Sequence, residues 1–200
     1  MSKNRLEAFS DGVLAILITI MVLELKVPAA AGWAALQPTL VTLGCYVVSF
    51  AYLAIYWGNH HHLFHTVTRV NGKIIWANTH LLFWLSLVPF ATSWVGTSNF
   101  GSVPVAGYGV ILLMCAVAFT ILAKLIVKYT PEQTKFSEAF HKTNMKATLT
   151  TALYIAAVPL AFAEPLVSCG IFIFTAFLWM VPNKQIEKLL EEEGEEKLKA

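Results

Sequence analysis

Six long apolar runs, separated by short polar stretches, dominate the chain. The first extends from about Leu6 to Leu25 and stops at Lys26, Val27 and Pro28. The second begins near Pro38, stays apolar to Trp57, and continues as a polar helix through Asn59, His60, His61, His62 and His65. The third runs from Ile74 to Val95, and a glycine- and serine-rich loop from Gly96 to Ser102 follows. The fourth covers Pro104 to Lys128, the fifth about Ala147 to Phe162, and the sixth Leu166 to Val181. A helix that crosses a bilayer needs about 20 apolar residues, so six crossings take up roughly 120 positions. The pattern predicts an all-α membrane protein: a six-span domain over residues 1–182 and a short charged tail over 183–200.

Composition sharpens this reading. Hydrophobic residues make up 57% of the chain and charged ones 13%, where a soluble domain carries roughly 45–50% and about 25%. A water-soluble globule, a secreted disulfide scaffold and a disordered chain are therefore excluded, and a net charge of +2 is too small to argue for nucleic acid. Of the 14 bases, all but Lys26 fall on one side under a six-span count. Cytoplasmic loops retain lysine and arginine, so both termini are expected in the cytoplasm. The first run carries Glu7 and Asp11 at its head and is too long for the apolar core of a cleaved signal. The tail, with Ile186, Leu189 and Leu190 at helical spacing among lysines and glutamates, reads as a solvated helix or an aid to assembly.

The first run has two different faces. With each residue 100° after the last, Arg5, Phe9, Gly12, Ile16, Thr19, Ile20 and Leu23 fall within about 60° of one line. Asp11 lies roughly 140° from that line and Ser10 roughly 120° away on the other side. One helix thus presents an aliphatic stripe with a single hydroxyl while aiming polar groups elsewhere. A carboxylate near the membrane boundary demands a partner, for which Arg5, the His60 to His62 run and Asn78 are candidates. Asp11 is read first as part of a packing network between spans one, two and three. The alternative is a simple helix-entry carboxylate favoured by the macrodipole.

The histidine run invites a metal reading, since His61 and His65 share a helix face. No further ligand set accompanies them, and no nucleophile elbow, P-loop or dinucleotide fingerprint occurs. We therefore expect no catalytic residue, no resident metal and no enzyme. Cys45, Cys115 and Cys169 lie inside apolar runs and suit small buried residues better than disulfides. Glu24 and Glu164 fall near the outer face as helix-end carboxylates or as an attraction for cations. Pro89 and Pro159 are expected to bend or pack their spans. Trp33, Trp57, Trp76, Trp94 and Trp179 fall mostly near span ends, as interface anchors do.

The string Arg5-x-x-x-Phe9-Ser10-Asp11-Gly12, leading straight into an apolar span, resembles the signature of the bacterial relatives of the endosomal and lysosomal potassium channel. Trp57-x-Asn59-His60-His61-x-x-Phe64 resembles that family's second-span ending, Trp76-x-Asn78 its third-span start, and Pro89-Phe90-x-Thr92 its third-span end. The resemblance implies a potassium channel in the bacterial inner membrane, without the Thr-Val-Gly-Tyr-Gly filter. It implies a homotetramer for a chain of one six-span repeat, with the first span of each subunit lining a central pore. By position it puts a narrow apolar ring on Ile16, a hydroxyl ring on Thr19, and further aliphatic rings on Ile20 and Leu23, with potassium passing near Thr19 and Ile16. Arg5, Phe9, Ser10, Asp11, Trp57, His60, His61 and Asn78 resemble the network that holds the first span against spans two and three.

An apolar neck of four Ile16 side chains would expel water when narrow and pass ions when widened. The Thr19 hydroxyls would replace part of an ion's water shell and favour potassium modestly over sodium. A competing reading is a proton- or cation-coupled secondary transporter that uses Asp11 and the His60 to His65 cluster as a relay. It expects a charge at mid-span and broken helices in paired halves, neither of which the first run offers after Gly12.

Overall fold

In a computed structural model of the chain, residues 2–28, 30–67, 69–129 and 134–180 are described, Pro38 and 134–144 by backbone alone. The charged tail over 183–200 lies outside the described residues. Seven helices follow one another among them: α1 (Lys3–Leu23), α2 (Trp33–His65), α3 (Gly72–Ser86), α4 (Val88–Thr97), α5 (Ser102–Tyr129), α6 (Thr134–Leu160) and α7 (Pro165–Met180). By length and composition α1, α2, α3 with α4 as one unit, and α5 can each cross a membrane. The apolar stretches Met145–Leu160 and Pro165–Met180 are shorter. At 1.5 Å per residue, the 16 residues of α7 reach about 24 Å, a little less than the hydrocarbon core.

Local chemistry sets these boundaries. Asn71 caps α3 by accepting the Ile74 amide at 3.0 Å. The third apolar run, expected as one span bent by proline, divides at Leu87, where Pro89 enters the next turn with no N–H to give the Leu85 carbonyl. After α4 the chain turns through Asn99 and Phe100, both at positive φ. The Phe100 amide reaches back to the Val95 carbonyl at 3.2 Å, the bond that closes a Schellman end. α2 begins at Trp33, a turn before the sequence pattern shows it.

Two apolar clusters hold the bundle. Leu6, Leu14 and Leu17 of α1 join Leu53 and Phe64 of α2, Leu81 of α3 and Leu122 of α5 in the first. Tyr52, Ala91, Tyr108, Leu112, Tyr154 and Phe172 tie α2, α4, α5, α6 and α7 in the second. α5 touches both, packing on α3, α4, α6 and α7. Two glycines mark close approaches: a Cβ on Gly96 would lie 2.9 Å from Thr42 Cα, and one on Gly109 would lie 2.9 Å from the Phe172 ring. α1 packs on α2, α3 and α4 by one side only.

Candidate functional site: the clamped and open faces of α1

The side of α1 that meets the bundle is Leu6, Ser10, Leu14, Leu17 and Met21, all buried. Their spacing of three and four residues is that of one helix face. The opposite side is open within the protomer: Phe9 and Ile16 are each 58% exposed, Ile20 43% and Leu23 76%. Gly12 and Thr19 are exposed on the same side. The Thr19 hydroxyl donates to the Ala15 carbonyl at 2.8 Å, so its proton is spent inside the helix while its oxygen lone pairs remain outward.

The clamp lies where α1 begins, α2 ends and α3 begins. Glu7 and Asp11, one helical turn apart, face Trp57 and His61, one turn apart on α2. The Trp57 indole N–H donates to Asp11 Oδ1 at 3.0 Å, and His61 Nδ1 lies 3.0 Å from Glu7 Oε1. The Trp57 and His61 rings stack with centroids 6.2 Å apart, so each partner of α1 also steadies the other. Lys3 Nζ donates to the His65 carbonyl at 2.8 Å and extends this ladder by a turn.

A deeper chain runs beside it through fully buried side chains. The Ser10 hydroxyl donates to the Leu6 carbonyl at 3.0 Å, so its oxygen can only accept, and Asn78 Nδ2 donates to it at 2.9 Å. That fixes the amide: Asn78 Oδ1 faces His60 Nε2 at 2.7 Å and accepts its proton. The His60 ring lies flat on Phe64, centroids 4.2 Å apart. Its Nδ1 is buried with no hydrogen-bond partner. Three helices are thus pinned through one amide.

The sequence-derived residues divide between these two faces. Ser10, Asp11, Trp57, His60, His61 and Asn78 come together in the clamp. Ile16, Thr19, Ile20 and Leu23 share the open face with Phe9. Arg5 is exposed and makes no hydrogen bond or ion pair among the described residues. Asp11 meets Trp57, whereas Arg5, the histidines and Asn78 were its candidate partners by sequence. Glu7 went unnoticed as a partner for His61, although its place one turn before Asp11 is a readable signal. At the far end of α1, Ser93 of α4 donates to Glu24 Oε2 at 2.9 Å. No group of three or more His, Cys, Asp or Glu side chains fit to hold a metal forms among the described residues.

A bundle of apolar helices with one helix clamped at its polar end and bare along an apolar stripe is a multi-pass membrane protein. A sequence profile described as endosomal/lysosomal potassium channel TMEM175 matches residues 5–89, the stretch that carries the clamp apart from Lys3. A potassium channel of Chryseobacterium sp. (strain P1-3) is 53% identical over 192 residues, which is 96% of this chain and 100% of that protein. The chain belongs to the TMEM175 family. An endosomal/lysosomal proton channel TMEM175 of Rattus norvegicus is 28% identical over 133 residues, or 64% of this chain and 26% of the rat protein. The crystal structure of a lysosomal potassium-selective channel TMEM175 homolog from Chamaesiphon minutus superposes with a TM-score of 0.75 at 28% identity, covering 89% of this chain and 96% of that one.

Proposed function

We propose that the protein is a potassium channel whose pore is formed by the open faces of four α1 helices around one axis. The observation that carries this reading is the exposure of Phe9, Ile16, Ile20 and Leu23 along one side of a helix whose other side is locked into the bundle. A stripe of this kind meets lipid or other copies of itself. The hydroxyl at Thr19 and the gap at Gly12, both on the stripe, favour an axis that ions approach.

Ile16 forms the gate. Four isoleucines around an axis enclose a neck that dewets when narrow and conducts when the helices part. Ile20 and Leu23 continue the apolar lining towards the outer mouth. Thr19 supplies the selective layer: with its proton held by the Ala15 carbonyl, the oxygen turns lone pairs to a partly dehydrated cation. A single hydroxyl layer replaces little of the water shell, so preference for potassium over sodium is modest. The clamp keeps α1 in rotational register, because turning the helix by one residue would swing Ser10 and Asp11 away from Asn78 and Trp57. The channel lies in a bacterial inner membrane with both termini in the cytoplasm.

The test is a potassium-gradient flux assay in liposomes beside a mass measurement of the solubilised oligomer, repeated under a proton gradient. Potassium flux from a tetramer is expected. Ile16→Cys that forms no intersubunit disulfide under oxidant, in a protein that conducts nothing, would remove the reading.

A further inference from the structure

A cleft of about 350 Å3 opens between α2, α4, α5 and α7, roughly two to three turns along α2 from Trp57. Its size falls within the roughly 300–1,000 Å3 of small-molecule sites. Gly44, Cys45 and Val48 of α2, Val105 of α5, and Cys169 and Phe172 of α7 form much of its wall, and no charged side chain among the described residues lines it. Its hydroxyls are already committed. Ser49 lies 2.9 Å from the Tyr108 hydroxyl and 2.7 Å from Thr92, which also reaches the Val88 carbonyl at 2.7 Å. Thr92 turns its single proton between Ser49 and the Val88 carbonyl, and Ser49 and Tyr108 share a further contact, so the hydroxyls of this wall face one another.

The cleft is held open. The close approaches at Gly96 against Thr42 and Gly109 against Phe172 fix α2 to α4 and α5 to α7, and the hydroxyl contacts join α2, α4 and α5. At Gly44, by contrast, a Cβ would meet nothing within 4 Å. A glycine inside a helix is less favourable than an alanine, and here no neighbour requires it. Its effect is to leave the lip of the cleft clear.

We propose that this cleft is a binding site for one acyl chain of a membrane lipid. Among the described residues the wall offers no charge for a head group or ion, and its hydroxyls are engaged with one another and with the Val88 carbonyl. The medium around apolar helices supplies hydrocarbon chains, and the space equals about a dozen water-sized units, enough for a run of methylenes. The site is independent of conduction, so it stands or falls apart from the pore.

The experiment uses the full chain in nanodiscs containing a phospholipid with a diazirine in its acyl chain, photolysed and mapped by peptide mass spectrometry. Adducts are expected on residues 44–49 and 169–173, and Gly44→Leu should abolish them while leaving adducts on other helices unchanged. A second reading uses native thiols: monobromobimane should label Cys45 and Cys169 in delipidated protein, lose that labelling when phospholipid is restored, and leave the buried Cys115 untouched throughout. The same adducts in Gly44→Leu as in wild type overturn the proposal. So does their absence from both segments in wild type with labelling elsewhere, the result expected if a neighbouring copy covers the cleft.

Discussion

Asn78→Ala strikes the clamp at its junction. Asn78 is fully buried, and its amide serves Ser10 on α1 and His60 on α2 at 2.9 and 2.7 Å. Hydrogen bonds between membrane helices average about 0.6 kcal/mol, so losing two removes about 1 kcal/mol. The greater cost comes from the groups left behind. His60 Nε2–H would be stranded in a buried ring whose Nδ1 already lacks a partner, and an unsatisfied buried donor costs about 1–3 kcal/mol. The total is roughly 2–4 kcal/mol, which corresponds to a fall of roughly 4–16 °C in the unfolding midpoint of a chain this long. Thermal unfolding of the detergent-solubilised protein reads it, with Ser10→Ala and the double variant completing a cycle. A coupling energy of about 0.5–1.5 kcal/mol is expected for two groups in one network. Additive effects, or a midpoint that Asn78→Ala leaves unchanged, would refute the claim that one amide pins three helices.

The other expectations follow from the two faces of α1. Ile16→Asn hydrates the proposed neck and should raise leak in bilayer recordings; currents no larger than wild type would count against Ile16 as the gate. Thr19→Val keeps the shape but deletes the oxygen, so the potassium to sodium permeability ratio from reversal potentials should fall towards unity, while a ratio unaltered in both Thr19→Val and Thr19→Ala would separate selectivity from this residue. Trp57→Phe removes the indole donor to Asp11 and should cost about 0.5–1.5 kcal/mol in the same unfolding assay without changing the permeability ratio. A changed ratio would mean that the clamp reaches the ion.

Much of this was legible along the chain, and the particular failures are instructive. The split of the third run at Leu87 was signalled by Pro89, because a missing N–H is a property of one residue. The stripe of α1 emerged from a helical wheel and falls within the wider face left exposed, which also takes in Ala8, Ala15 and Val22. The partner of Asp11 did not emerge, since several polar side chains on α2 and α3 satisfied the same demand. The contacts of Tyr52 with Thr175 and Tyr154, more than 100 positions away, had no sequence signal at all.

The sequence by itself determined that the chain lives in a bilayer, where its runs break, and which side of α1 is aliphatic. These are properties of single segments, set by transfer of side chains from water and by the fixed turn of a helix. Only the tertiary structure decided which groups of that network meet, Trp57 with Asp11 and Asn78 with Ser10, that Glu7 takes part through His61, and that a cleft stays open beside Gly44. Such pairings depend on how far each helix is rotated and how closely it approaches its neighbours. That is settled by packing all of the helices at once, and the periodicity of one helix carries no record of it.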